Sequence, residues 1–162
     1  MSVVSEFISA NERYASTFVK GDLPLPPGRK VAVVACMDAR LDPARVLGLE
    51  EGDAHVIRNA GGRARDAVRS LVISQQLLGT REIVVIHHTD CGMLTFTDAD
   101  LRRKLKEGLG ETTDLAFLPF PDLDQSVRDD VASLRAERLL LRDVPVTGFV
   151  YDVRSGRLRH VA

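Results

Sequence analysis

The chain has 162 residues, 44% of them hydrophobic and 28% charged, with a formal net charge of −1. That length suits one domain, 1–162, able to bury roughly 68–70% of its unfolded surface, and the composition excludes a disordered chain. Near balance between 22 Lys plus Arg and 23 Asp plus Glu disfavours a general nucleic-acid binder.

Residues 5–20 read as a helix, because Phe7, Asn11, Tyr14, Ala15 and Phe18 recur at steps of three and four, with Ser5 as N-cap. GDLPLPPGRK (21–30) breaks that helix with three prolines and two glycines and reads as an extended arm, so 1–30 stands apart from an α/β core over 31–162. VAVVAC (31–36) is a continuous, largely β-branched apolar run, as expected of a parallel strand buried on both faces. PARVLG (43–48) is a short helix with proline in its first turn, and AHVIRN (54–59) a second strand. Over 65–79 a helix is expected, with Val68, Leu71, Val72 and Leu78 on one stripe and Gly79 as its stop. EIVVIH (82–87) is a third buried strand.

Further on, 98–108 is a charged, exposed helix and 110–121 a loop. A last helix opens on Asp122 as N-cap, with Gln125 completing an approximate capping box and Leu123, Val127, Val131 and Leu134 on its buried stripe. Residues 146–153 and 157–161 flank Arg154-Ser-Gly as a hairpin. The sum is an α/β fold: a mostly parallel central sheet with flanking helices, an N-terminal helical arm and a C-terminal antiparallel hairpin strand. Ligand sites in such sheets lie beyond the carboxyl ends of the strands, at the switch point, which directs attention to 36–42, 59–63 and 87–95.

Both cysteines fall there. Cys36 closes the first strand, and His88 and Cys91 follow the third in HTDCG (88–92). A cysteine ending an apolar strand is by itself usually a small buried hydrophobe. Two thiolates and an imidazole on one sheet edge instead suit zinc and leave a fourth position open. In CMDAR (36–40), Asp38 and Arg40 alternate with Cys36. A carboxylate kept ionised by arginine can orient a metal-activated water, although the pair alone reads as a surface ion pair worth about 0–1 kcal/mol. Arg58, Arg63, Arg65 and Arg69 read as a solvated basic face, since no phosphate-binding G-x-x-x-x-G-K-[ST] loop accompanies them. His55 and His87 read as packed, hydrogen-bonded histidines and not proton shuttles, and His160 as surface. Cysteine phosphatase chemistry fails because Asp42 and Thr97 stand where Cys-x5-Arg needs arginine, and no Cys-x-x-Cys supports a redox role.

Taken together, Cys36-Met-Asp38-Ala-Arg40, Arg58-Asn59-Ala60-Gly61 and His88-Thr89-Asp90-Cys91-Gly92 resemble the β-class carbonic anhydrases, and the likeness runs from about residue 5 to 160. The resemblance implies a zinc enzyme interconverting carbon dioxide and bicarbonate plus a proton by attack of zinc-bound hydroxide. It implies one zinc per chain on Cys36, His88 and Cys91, a catalytic pair of Asp38 and Arg40, and a backbone N–H of Gly92 beside the bound anion. Asp38, if turned from Arg40, would fill the fourth zinc position in a closed state. A homodimer or dimer of dimers is implied, with active sites near subunit contacts and neither nucleic acid nor membrane as partner. The chain departs from the commonest pattern at Met37 and Ala39, at His87 where glycine is frequent, and at His55, the counterpart of an often aromatic pocket position. Pro24, Pro26 and Pro27 occupy the arm where some members carry a glutamine.

Two thiolates cancel the formal charge of the ion, so its water should be less acidic than on three neutral ligands and activity should rise toward alkaline pH. Two other readings are a hydrolase of carbon disulfide or carbonyl sulfide on the same scaffold, and a non-catalytic zinc- or bicarbonate-binding module, against which the intact Asp38 and Arg40 argue. No segment approaches the ~18 consecutive apolar residues of a membrane span. Without a basic start and a long apolar stretch, no secretory signal is expected, and a cytoplasmic location is.

Overall fold

The computed structural model describes residues 2–162. Five strands form one sheet: β1 (Val31–Cys36), β2 (Ala54–Asn59), β3 (Glu82–His88), β4 (Val146–Tyr151) and β5 (Leu158–His160). Their order is β2-β1-β3-β4-β5, parallel throughout except for the antiparallel β4–β5 pair. The chain runs outward from β1 to β2, then returns to lay β3 on the other side of β1. The carboxyl ends of β1 and β3 therefore flank the switch point, where strand connections diverge and leave a crevice.

The α-helices among the described residues are α1 (Val4–Ser16), α2 (Pro43–Leu47), α3 (Ala64–Gln76), α4 (Asp98–Leu109) and α5 (Leu123–Ala136). The core of the sheet's α3–α5 side joins Ala32 and Val34 of β1 and Ile83 and Val85 of β3 to Leu71 of α3 and Val127 and Val131 of α5. Val33, Ala35 and Ile86 point the other way, into a second cluster with Leu41, Met93 and Phe120 that backs the crevice. Burial on both faces explains why β1 and β3 are apolar without alternation.

Several boundaries differ from expectation. Helix α1 is capped by Val3 without a side-chain bond, not by Ser5, and it ends at Ser16. Helix α3 stops at Gln76, with Gly79 at φ 75° in the connection that follows. Asp122 caps α5 by accepting from Gln125 N, but the Gln125 side chain turns forward to Asp129, so the capping box is half made. A true capping box opens α4, between Thr97 and Asp100. The hairpin strands are shorter than expected because Asp152 Oδ1 accepts from Arg154 N and Ser155 N, curling 152–157 into a wider turn.

Candidate metal centre and its acid–base pair

Cys36 is the last residue of β1 and His88 the last of β3, while Cys91 enters the short 3-10 turn Gly92–Leu94. All three are buried, and their ligand atoms lie within 4.8 Å of one another. The His88 ring is set from behind: Nδ1 donates to Thr89 O at 2.9 Å, which leaves Nε2 as the bare nitrogen facing the sulfurs. That Nε2 is buried and has no hydrogen-bond partner. A buried polar atom without a partner is costly. Its satisfaction by a metal, together with two soft sulfur donors, fits zinc. Cys91 favours the thiolate of the neighbouring Cys36 and holds that thiol below its usual range, while Cys91 is pushed the other way. A thiol held low beside an unpartnered imidazole nitrogen suits a cation.

Beside this cluster, Asp38 is gripped by Arg40. Arg40 Nε donates to Oδ1 at 3.0 Å, Nη2 to Oδ2 at 2.8 Å, and the Arg40 backbone N–H to Oδ1 at 2.8 Å. These bonds hold the Asp38 carboxyl well below the usual carboxylate range. Asp38 Oδ2 stands 3.7 Å from His88 Nε2, so the carboxylate faces the ligand atoms while it stays paired with Arg40. Gly92 lines the same cavity, of about 330 Å³, whose remaining wall is made largely by Ala60, Met93 and Phe96.

Two arginines of the supposed solvated cluster belong to the scaffold instead. Arg58 reaches back from β2 and donates to the carbonyls of Cys36, Asp38 and Leu41, at 2.8, 2.8 and 2.7 Å through Nη2, with Nε also on Cys36. It thus shapes the loop that presents Asp38 and Arg40. Arg63 pairs with the buried Asp130 at 3.2 Å and lies over the Phe120 ring. Arg65 and Arg69 are exposed, as expected. His87 is fully buried, with Nδ1 on Ser126 at 2.8 Å and Nε2 near Asp130 at 3.2 Å, and it stacks on Phe120. His55 bonds Ser74 at 2.7 Å and lines a different cavity, so it is no wall of the metal pocket. Both histidines are structural, and His160 is exposed. Nothing in the local sequence pattern marks Arg58 for this role.

Gly62 explains how the second motif meets the other two. Its φ is 66°, and a Cβ there would stand 2.8 Å from Cys36 N and 2.9 Å from Ile86 O. Only glycine lets the 60–62 turn press onto the ends of both ligand-bearing strands.

The fold and site define a metal-dependent α/β enzyme, with three buried soft and borderline ligands beside a carboxylate–guanidinium pair. The family described as carbonic anhydrase matches residues 31–116. A β-carbonic anhydrase of Mycobacterium tuberculosis is 48% identical, over 99% of both chains. The solved carbonic anhydrase from Glaciozyma antarctica is 53% identical, covers 100% of both chains and superposes with a TM-score of 0.95. A carbon disulfide hydrolase of Acidianus sp. is more distant, 35% identical over 97% of this chain and 90% of its own. The chain belongs to the β-carbonic anhydrase family and is a zinc enzyme.

Proposed function

We infer that the chain catalyses the reversible hydration of carbon dioxide to bicarbonate and a proton, with Cys36, His88 and Cys91 holding zinc and Asp38 and Arg40 as its catalytic pair. The observation that carries this is the convergence of three buried ligand atoms within 4.8 Å on an unpartnered His88 Nε2. Zinc, when bound, supplies a Lewis acid that lowers the pKa of water and makes it nucleophilic. Asp38 is held ionised and acceptor-only by Arg40, and it faces the ligand atoms, so it can take a hydrogen bond from a reacting water and orient it. Ala60, Met93 and Phe96 give a small, weakly hydrated substrate an apolar seat. The Gly92 N–H is assigned to the product anion, and the released proton passes to solvent or buffer.

The working unit is proposed to be a cytoplasmic homodimer or dimer of dimers. No buried residue lies on α1, and Val4, Phe7, Ile8 and Tyr14 expose apolar surface, with Phe7 at 64%. A 13-residue helix is marginal alone and needs a partner for that surface. No helix among the described residues is long and apolar enough to cross a membrane.

Stopped-flow hydration of carbon dioxide by the zinc-loaded protein tests the activity. Asp38→Ala should keep about one zinc per chain and lose most of kcat; full activity in that variant would remove Asp38 from the mechanism. Turnover of carbon disulfide without hydration of carbon dioxide would move the chain to the hydrolase reading.

A further inference from the structure

The Asp38–Arg40 pair has a third member. Arg40 Nη1 donates to Asp90 Oδ2 at 2.7 Å, and Nη2, already on Asp38, also donates to Asp90 O at 3.0 Å. The flat guanidinium is thereby held along two edges, one facing Asp38 and the other facing the turn between His88 and Cys91. Asp90 adopts φ 56°, a left-handed conformation that aspartate and asparagine enter more readily than most residues. That conformation accompanies a geometry in which both its carbonyl and its carboxylate meet Arg40. We propose that Asp90 is a positioning residue, which fixes the plane of Arg40 so that Asp38 stays aimed at the ligand atoms. The proposal rests on the reading of Asp38 as the orienting carboxylate.

Stability is not the reason for this contact. The Asp90 side chain is 70% exposed, and an ion pair that open to water contributes little to folding. Its effect is orientational. It joins the loop after β1 to the ligand turn after β3, two segments fifty positions apart in sequence, so the pair and the metal ligands keep one relative geometry. Misplacement of a catalytic group by a fraction of an ångström lowers rate before it lowers binding.

Two variants test this. Asp90→Gly accepts the same φ and keeps the backbone carbonyl but removes the carboxylate, whereas Asp90→Asn keeps the shape and one acceptor without the charge. Both should retain about one zinc per chain and a wild-type KM, while kcat falls about tenfold in Asp90→Gly and less in Asp90→Asn. A readout independent of turnover is hydrogen exchange at Arg40 Nε–H, followed by nitrogen-15 NMR on the zinc-loaded protein. It should quicken several-fold in Asp90→Gly as Arg40 loosens from Asp38. Unchanged Nε–H exchange, or a kcat loss that tracks lost zinc, would overturn the proposal. A fully active Asp38→Ala would instead refute the underlying role of Asp38, and the exchange measurement would still decide whether Asp90 holds Arg40.

Discussion

The carboxyl edge of the sheet and the N-terminal arm are built on opposite plans. At the edge, Cys36, His88 and Cys91 are buried; Arg40 and Arg58 donate directed bonds to the 36–41 loop, and Thr89 O accepts from His88 Nδ1. In the arm, α1 buries nothing; the arm meets the rest of the chain through Pro27, which is buried, and through polar ties: Tyr14 donates to Glu51, Lys20 pairs with Glu50 and Glu51, and Gly28 N–H donates to Gly52 O. At the edge, all three ligand atoms of the cluster come from one chain. Helix α1 has an apolar surface and no buried residue, so it gains little from packing on the chain's own sheet. The buried ligand cluster and the exposed apolar helix thus occupy separate parts of the sequence.

That contrast can be broken in graded steps. Cys36→Ser should abolish both zinc retention and hydration activity, read by metal analysis and stopped flow; a variant that kept zinc would show that the edge tolerates loss of a ligand. Gly62→Ala should destabilise the fold by about 2–5 kcal/mol, because a left-handed alanine is strained and its Cβ meets backbone it cannot move. Urea unfolding checks it, with the arm's oligomeric state as control. Sedimentation at micromolar concentration tests the proposed homodimer: the full chain should run as a dimer and a chain lacking residues 1–20 as a monomer, with zinc content near one per chain in both. The smallest effect belongs to Arg159, which donates to both Asp124 oxygens at 2.9 and 2.6 Å and holds that carboxyl below its usual range. Since the folded pKa is depressed, the pair's contribution is present above the unfolded value of ~3.9 and lost as pH falls through the folded one. Both side chains are partly solvated, so Arg159→Ala should cost about 0.5 kcal/mol or less at pH 7, with the gap to wild type closing in acid melts.

The ligand cluster was legible in the sequence because strand ends are. A continuous apolar run such as VAVVAC stops where burial stops, so Cys36 and His88 could be placed on one edge from periodicity alone. Capping was less legible. Ser5 had the right chemistry for an N-cap, but α1 begins one residue earlier with no side-chain bond, and Gln125 found Asp129 within reach ahead of it. Arg58 and Arg63 were missed as scaffold for a different reason. Their partners are carbonyls and a carboxylate brought close only by the tertiary fold, and no local pattern distinguishes such an arginine from a solvated one.

The bonds of Arg58 also bear on what could be moved elsewhere. Its guanidinium gathers the carbonyls of residues 36, 38 and 41 from a neighbouring strand. The hexapeptide Cys36–Leu41 carries every letter of its motif yet owes its curvature to a residue that lies outside it. Grafted alone onto another sheet, it would bring the thiolate and the carboxylate without the bend that makes them converge. The smallest portable version of this centre is the ends of β1 and β3, the turn that carries Cys91, and the arginine of β2 that clasps residues 36–41.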